Sequence, residues 1–434
     1  SAISLSLFHA GLGNFKESDK YLKIFLALEP QIAARSSVAE TSFLAGEVYF
    51  AREDIQNFLK YYSRALESFR AIDDRRGAAK TLFAMSYAKI ADDDLSGGLN
   101  AAKESLEIWN QIGDRRGITL SLSQLGVSQF RLGSTREALQ SLRRAEELFP
   151  PDIDKTERAI LAYNIGRIYE GFADCDLGID HFKTSLDLLT EEQNESYLVG
   201  NLWSLGAFEY RCGKKDNAIE PLNRSLELAR KLDKNAHIIH SQIELGNIYL
   251  NENDLASAKS HFENAFFLLK RSPYNLNSAK VYAGLAKLAE KRRDIPAAAK
   301  NYAEALKTYR AIKDDFSAAE MLYNLARIEI LRENPATAAD LISESVKITD
   351  SLSSDVINSK LKDSYFSTVY ERYELLIHLL MESSRRQSDP SMVIEALQVA
   401  EKSRARAMTE TLAGRRCENS ASRARASKFA KFEI

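Results

Sequence analysis

The sequence predicts an all-α fold in which hairpins of two helices repeat every forty residues. Two observations predict it. Small residues recur at a fixed step of forty, and each repeat contains two segments with apolar residues at i, i+3 and i+4. A third observation, the turn chemistry between the segments, indicates where one helix ends and the next begins. A chain of 434 residues is long enough for two or three ordinary domains or for one long array.

Four columns of residues keep their register across nine repeats. The first contains only Gly, Ser or Ala, and an apolar residue precedes each member. Two further columns, twelve and nineteen residues later, are small except at Phe58 and Phe25. Helices that cross closely need small side chains where their ridges meet, and we expect Leu142, Phe182, Leu222, Phe262 and Tyr302 to fill the remaining space. The first column is Ser6, Gly46, Ser86, Gly126, Gly166, Gly206, Gly246, Ala286 and Ala326.

The turn inside each repeat carries helix-capping residues. Eight residues after the small position, all repeats but one have a residue type favoured at a helix N-cap, and replacing one of the Asp by Ala should cost about 1 kcal/mol. Lys214 is the exception, where Asp216 could cap instead. Pro335 follows its cap at the first helical position, where Pro is tolerated. The column is Asn14, Asp54, Asp94, Ser134, Asp174, Lys214, Asp254, Asp294 and Asn334.

Three segments resemble the first-helix signature of the tetratricopeptide repeat (TPR): "IGRIY" (165–169), "LGAFEY" (205–210) and "LGNIY" (245–249). The period is forty rather than the usual 34, and the Pro that customarily closes the second helix occurs only at Pro30 and Pro150, so the chain resembles a long-repeat TPR subclass. The resemblance covers roughly residues 1–350 and implies a right-handed α-solenoid. The concave face of such a superhelix usually binds a peptide, although TPR arrays bind many unrelated partners.

The positions expected on that face change character along the chain. The first repeats offer Phe43, Phe50, Phe83 and Tyr87, whereas later repeats are polar and mostly basic. Asn amides could bind a ligand backbone and Arg could bind carboxylates, so we expect a protein or peptide partner with an acidic or mixed segment. In the alternative interpretation the charges only solvate the surface and pair with Glu170, Glu244 and Glu290. The predicted partner-binding residues are Arg131, Asn164, Arg167, Trp203, Arg211, Asn247, Lys287, Asn324 and Arg327.

No catalytic or metal-binding constellation is recognisable. His237 and His240 stand at i, i+3 but have no third ligand near them in sequence, and His181 and His261 share one repeat position that suggests packing. "LSGGL" (95–99) lacks the Lys-Ser/Thr of a phosphate-binding loop. We therefore expect a non-enzymatic protein without cofactor or metal.

Charge and cysteine content limit the classes of partner and the cellular compartment to be expected. A net charge of −2 gives no field that would attract nucleic acid or a membrane, and no apolar run has membrane-spanning length. Cys175, Cys212 and Cys417 show no pairing framework, which favours a reducing compartment such as the cytoplasm. Cys175 is expected to be a packing residue. The oligomeric state is not predicted.

The forty-residue step stops near residue 350. A long helix over 357–384, a break and a second helical segment over 392–414 are expected, followed by a basic tail over 415–434 that is expected to be disordered. "YELLIHLL" (373–380) and "AEKSRARAM" (400–408) resemble the junction of bacterial TPR–CHAT proteins, in which repeats lead into a caspase-like CHAT domain; no such domain is present here. The domains expected are thus 1–350 (nine repeats, the first incomplete), 351–414 and 415–434. For the segment 351–414, the alternative is a generic pair of helices that caps the array.

These resemblances imply binding as the function. The chain would be the recognition or regulatory arm of a CHAT-type protease-like protein. A free-standing assembly scaffold and the sensor arm of a TPR-bearing signalling or transcription regulator stay open as alternatives.

Overall fold

The structure is all-α over the residues that it describes. It is a computed structural model that describes residues 1–11, 14–32, 34–52, 54–150, 154–172, 174–269, 276–351 and 362–404. Within these ranges the regular elements are helices, and no strand occurs. None of the described helices combines the length and apolar character needed to cross a membrane. The predicted fold class is confirmed.

Two kinds of helix, called A and B here, alternate along the chain as predicted. The A helices are α1 (Ala2–Gly11), α3 (Arg35–Ala51), α5 (Arg75–Ala91), α7 (Arg115–Arg131), α9 (Lys155–Gly171), α11 (Glu195–Arg211), α13 (Asn235–Asn251), α15 (Leu276–Lys291) and α17 (Asp315–Leu331). The B helices are α2 (Phe15–Leu28), α4 (Ile55–Ala71), α6 (Leu95–Ile112), α8 (Thr135–Leu148), α10 (Cys175–Glu191), α12 (Lys215–Lys231), α14 (Leu255–Leu269), α16 (Ile295–Ala311) and α18 (Pro335–Ser351).

The chain divides into two compact units, Ser1–Cys212 and Gly213–Ile434. The first unit contains α1 to α11, with a short 3-10 helix (Glu29–Gln31) after α2. The second unit contains α12 to α18, then α19 (Lys362–Gln387) and a helix described over 390–404. Within each unit, every described hairpin whose two helices both belong to that unit packs its A helix against the B helix that follows it, as α3 packs on α4 and α13 on α14.

A turn of constant geometry sets the length of the repeat. Most helices have 17 residues, and the middle residue of the three that connect them has a positive φ, a region that favours Gly. Only three of these turn residues are Gly. The turn recurs every twenty residues, so each forty-residue repeat consists of two equal halves. The residues are Asp73, Asp93, Gly113, Gly133, Gln193, Gly213, Asp233, Asn253, Arg293, Lys313 and Glu333.

The predicted N-caps of the B helices are largely confirmed. In six of them the side chain accepts a hydrogen bond from the backbone N–H three residues later. Ser134 makes no such bond, so the prediction is wrong there, and Lys214 does not cap either. Asn334 instead donates to the Glu329 carboxylate at 2.9 Å. The six capping residues are Asn14, Asp54, Asp94, Asp174, Asp254 and Asp294. Asp74, Asp114 and Asp314 cap A helices in the same way, in a column that the sequence analysis did not identify.

The first small column packs where it was expected to pack. A Cβ atom added at Gly46 would lie 2.5 Å from the ring of Tyr62, and one at Gly246 would lie 2.8 Å from the ring of Phe262. The large B-helix residue therefore occupies the space that a side chain on the A helix would need. Where the column holds Ser86, its hydroxyl donates to the Gly98 carbonyl at 2.8 Å, which satisfies a buried polar group.

One sequence expectation about cysteine is wrong. Cys175 and Cys212 form a disulfide with Cα atoms 5.8 Å apart. Cys175 is the first residue of α10, and Cys212 is the C-cap of α11. Their separation of 37 residues is close to one repeat, and neighbouring repeats place their turns side by side. Because the pair depends on this stacking, sequence spacing did not reveal it, and the argument for a reducing compartment from unpaired cysteines no longer holds.

The C-terminal helices cover the end of the array. Tyr373 of α19 donates a hydrogen bond to Asp350, and the buried Arg372 guanidinium donates to Thr349 at 2.8 Å. The helix over 390–404 buries Ala396 and Val399 in one apolar cluster with Tyr373. The predicted tail, with Cys417, lies outside the described residues, as do the ends of the predicted 351–414 segment.

Candidate binding surface

Polar side chains join successive A helices of the first unit into one layer. The side of this layer that faces away from the B helices is called the A-helix face here. Behind this face, hydrogen bonds among mostly buried side chains connect α5 to α7, α7 to α9 and α9 to α11, so contacts within the layer hold the A helices in register. The pairs are Gln124 with Ser86 at 3.4 Å, Asn164 with Ser123 at 3.4 Å, and Tyr163 with Ser204 at 3.1 Å.

Tyr87 of α5 lies in a recess of this face. Its surface is 52% exposed, yet burial by the surrounding protein raises the pKa of its hydroxyl, and the nearby hydroxyls of Tyr197 and Tyr163 raise it further. The three tyrosines belong to α5, α9 and α11, so the stacking of these A helices places their hydroxyls near one another. The ring of Phe50 meets Tyr87 edge-on, with centroids 5.8 Å apart. Phe50, Tyr87, Tyr163 and Tyr197 are called the aromatic recess.

Sequence reasoning found half of this recess. Phe50 and Tyr87 were expected on the face, but Tyr163 and Tyr197 were not. A signal for Tyr163 did exist, because it shares its repeat position with Phe43, Phe83 and Trp203. Tyr197 shares a column with no other aromatic residue except His237, so only the stacking of the helices reveals it.

Two arginines share one carboxylate near the ends of α9 and α11. The Nε atom of Arg167 lies 3.2 Å from Oε2 of Glu170, and Arg211 donates a hydrogen bond to Oε1 of the same carboxylate. The guanidinium of Arg211 also lies over the ring of Phe208, 5.8 Å from its centroid. Two cations against one anion leave one positive charge uncompensated within this group. Arg167 and Arg211 are called the arginine pair.

The other predicted residues of the first unit lie on three different A helices. Arg131 is exposed, and its guanidinium is 4.0 Å from the Asp93 carboxylate. Asn164 is half-buried and donates to Ser123, as described above. Trp203 is half-buried on α11.

In the second unit the predicted cations have carboxylates of their own. Lys287 pairs with Glu320 at 3.1 Å, and Arg327 pairs with Glu290 at 2.7 Å. Asn324 is buried and accepts a hydrogen bond from Arg327 at 3.5 Å. Asn247 is half-buried on α13. These pairs match the alternative interpretation, in which the charges neutralise each other on the surface. The contacts of Arg167 and Arg211 with Glu170 in the first unit also match it, because Glu170 is one of the carboxylates that it named.

The histidines pack rather than form a site. The ring of His181 stacks on Tyr169 with centroids 5.5 Å apart, and His261 stacks on Tyr249 at 5.3 Å. Burial lowers the pKa of His237 to about 4, with smaller contributions from His240 and Lys234. Over the described part of the chain, no group of three or more His, Cys, Asp or Glu side chains is arranged to hold a metal ion.

Comparison with known proteins agrees with this architecture. The family described as Tetratricopeptide repeat matches residues 283–352. A search of curated proteins finds no significant match. Among solved structures, the chain is similar to a signal transduction ATPase with numerous domains (STAND) protein with a tetratricopeptide repeat sensor from Pyrococcus horikoshii. That match has a TM-score of 0.62 and 13% identity over 86% of this chain, and it spans 54% of the other chain.

Two further solved structures match over nearly their whole length. The apo form of the quorum sensor NprR from B. thuringiensis gives a TM-score of 0.56 and 13% identity, covering 87% of this chain and 99% of the other. A Rap protein complexed with Competence and Sporulation Factor gives a TM-score of 0.52 and 14% identity, and the match covers 81% of this chain and 99% of the other. At such identities the similarity establishes the fold alone. The repeated helix pairs and these neighbours show an α-solenoid fold of the tetratricopeptide-repeat type, and the family model matches the segment 283–352.

Proposed function

We propose that the protein is an interaction scaffold whose first unit binds an acidic segment of a partner protein on the A-helix face. The observation that carries the proposal is the arginine pair on a single carboxylate, one helical turn from Tyr163 of the aromatic recess. A ligand carboxylate would supply the missing negative charge, with bidentate geometry that guanidinium groups favour. Binding, rather than catalysis, is the proposed activity.

The aromatic recess would supply the apolar part of the interface. Tyr87 and Tyr197 are about half exposed, so a ligand side chain placed between them would bury aromatic surface that water now covers. Tyrosine hydroxyls can also bond a peptide backbone. The ligand expected is therefore a segment with an apolar side chain followed or preceded by Asp or Glu.

The neighbours lend support by analogy of fold only. One is a Rap protein solved in complex with Competence and Sporulation Factor, another is a quorum sensor, and a third carries a tetratricopeptide repeat sensor. A sensor arm of a signalling regulator is thus one specific form of the proposed function.

The arm of a CHAT-type protein is the other specific form that we propose. Its support is the resemblance at 373–380 and 400–408, together with the helix over 390–404, whose Ile394 and Leu397 are exposed and form an apolar strip. An encoded His/Cys caspase-like domain downstream would support this form. A nucleotide-binding or DNA-binding module upstream would support the sensor. If neither kind of module is encoded, a free-standing scaffold is favoured.

The test compares peptide selection by the intact chain with selection by a variant. A display library of short unstructured peptides is selected on the intact chain, and the selected peptides are titrated against the Arg167→Glu/Arg211→Glu variant. We expect enrichment of Asp or Glu next to an apolar residue, and loss of binding in the variant. Tyr87→Ala should weaken binding of the same peptides, because it removes one wall of the recess.

Arg64→Glu/Arg70→Glu is the matched control, because it reverses two arginines of B helix α4 that pair with the carboxylates of Glu29 and Glu104. It should bind like the unmodified chain. Equal binding by the Arg167/Arg211 variant, with unchanged circular dichroism, would reject the arginine pair as the site.

A further inference from the structure

The disulfide between Cys175 and Cys212 lies at the ends of two helices, beside exposed residues. Cys175 is the first residue of α10, Cys212 directly follows α11, and both are half-buried. Their neighbours Leu177 and Arg211 are exposed. Disulfides near the surface are the ones that a reductant reaches most readily. The bond is therefore open to reduction in the folded chain.

Stacked hairpins do not need a covalent bond at these two positions. One repeat further along, the positions of Cys175 and Cys212 are occupied by Lys215 and Glu252, whose side chains form a hydrogen-bonded ion pair. Exposed ion pairs contribute little to stability, yet α12 packs against α13 there as α10 packs against α11. The disulfide is thus a local addition, and we expect the hairpins to stay stacked when it is broken.

The disulfide packs against an apolar cluster that also supports Arg211. The guanidinium of Arg211 lies over the ring of Phe208, 5.8 Å from its centroid. The backbone N–H of Cys212 donates to the Phe208 carbonyl at 2.9 Å, which closes the last turn of α11 directly after Arg211. The position of Arg211 therefore depends on the helix end that the disulfide ties to α10. Cys175 and Cys212 both pack against the cluster, whose buried members are Ile179, Phe182, Leu205 and Phe208.

The same cluster supports Tyr163 of the aromatic recess. Tyr163 packs against it, with its ring centroid 5.6 Å from that of Phe182. Phe182 in turn meets the ring of Phe208 edge-on, with centroids 5.9 Å apart. A continuous set of packed side chains thus connects the disulfide to both the arginine pair and the aromatic recess, as energetic coupling between sites requires.

We propose that the bond between Cys175 and Cys212 is a redox switch that controls binding by the arginine pair. In the oxidised chain it holds the last turn of α11, and with it Arg211, in the position that binds a carboxylate. A dithiol reductant supplies two electrons and two protons: the S–S bond breaks, both cysteines become thiols, and the reductant closes its own disulfide.

Reduction acts on the end of a helix, where local unfolding costs least. The last turn of α11 then frays, so Arg211 occupies its binding position for only part of the time, and the affinity falls by that fraction. The inference rests on the proposed function, because the arginine pair is the site that the switch regulates.

The first experiment compares the affinity of one peptide for the oxidised and the reduced chain. The probe is a fluorescein-labelled, cysteine-free acidic peptide from a display selection on the oxidised chain, followed by fluorescence anisotropy with and without dithiothreitol. We expect reduction to weaken binding about threefold or more. Cys175→Ser/Cys212→Ser should bind like the reduced chain in both conditions. Cys417→Ser is the matched control, because it keeps the disulfide and should respond to dithiothreitol like the unmodified chain.

Hydrogen exchange measured by mass spectrometry tests the helix end without any ligand. Reduction should speed exchange about threefold or more over residues 208–212, the last turn of α11 and its cap. Exchange in α5 and α7 should stay the same, because the bond joins α10 and α11 only. Alkylation of the folded chain after treatment with dithiothreitol counts the thiols that have been released.

Several results would overturn the switch. They are equal affinity of the oxidised and reduced chains, unchanged exchange over 208–212, or a bond that dithiothreitol cannot reduce in the folded chain. Faster exchange throughout α5 to α11 would also overturn it, because the bond would then stabilise the whole unit rather than position Arg211.

Failure of the proposed function would give a different result. A selected peptide that binds equally to Arg167→Glu/Arg211→Glu would reject the arginine pair as the site in both redox states, and with it the switch. If the switch alone fails, binding is lost in that variant but does not depend on dithiothreitol in the unmodified chain.

Discussion

Single side chains fix both ends of the helices in this protein. Asp294 closes the turn before α16 by accepting a hydrogen bond from the backbone N–H of Ala297 at 3.1 Å. The residue before it, Arg293, has a φ of 60°, which ends α15 although a side chain is disfavoured there. Capping and reversal of the chain thus use adjacent residues, and the same pair of roles recurs in other turns, such as Asn253 with Asp254 and Lys313 with Asp314.

The first prediction concerns these caps. Asp294→Ala should lower the free energy of unfolding by about 1 kcal/mol, because α16 loses a bond to one of its free N–H groups. Ser134→Ala should cost much less, because Ser134 makes no capping bond at the start of α8. Urea denaturation of both variants measures the difference. Equal losses would show that the side-chain cap is not the source of the stability.

At the scale of elements, the hairpin is the unit that repeats and the disulfide is a local addition to it. Small residues allow the A and B helices to approach, and a large residue such as Tyr62 or Phe262 fills the gap beside each small one. The bond between Cys175 and Cys212 joins the start of α10 to the end of α11, next to the arginine pair. It therefore fixes two helix ends that the stacking already brings together.

The second prediction concerns this bond. Alkylation of the denatured, unreduced chain should modify one cysteine of three, and prior reduction should make all three reactive. Reduction, or Cys175→Ser/Cys212→Ser, should destabilise the first unit by about 2–4 kcal/mol, because the unfolded chain regains the freedom of the closed loop. Peptide mapping by mass spectrometry and denaturation measure the two effects. Three reactive cysteines without reduction would show that the bond is absent.

At the scale of the whole molecule, the two units differ in how they balance charge on their A helices. In the second unit Lys287 and Arg327 each have a carboxylate of their own. In the first unit the arginine pair shares Glu170, and the aromatic recess is formed by helices far apart in sequence. The first unit is therefore the better candidate for binding a charged partner segment.

The third prediction follows from that imbalance. Binding of a selected acidic peptide should weaken as NaCl rises from about 50 mM to about 500 mM, because salt screens exposed charges over about 10 Å at 0.1 M. Arg167→Gln/Arg211→Gln should bind more weakly and lose most of this salt dependence. Isothermal titration at several salt concentrations measures both. An equal salt dependence in the variant would assign the attraction to other charges.

The sequence by itself determined the repeat, the helix pairs and most B-helix caps, because these depend on residues within one hairpin. Gly46 and Gly246 indicated close helix crossings, and Asp294 indicated a helix start, from local chemistry alone. The half-length period was less visible, because the turn residue with positive φ is Gly at only a few positions and a charged residue such as Arg293 or Lys313 at others.

Only the tertiary structure decided which groups meet across hairpins. Tyr87 and Tyr197 lie near each other because the helices that carry them stack in one layer, and Cys175 pairs with Cys212 because neighbouring repeats align their turns. The sharing of Glu170 by Arg167 and Arg211 likewise depends on what the next hairpin supplies. A one-dimensional pattern specifies the contacts of each repeat with itself, whereas contacts between repeats depend on the angle at which the hairpins stack.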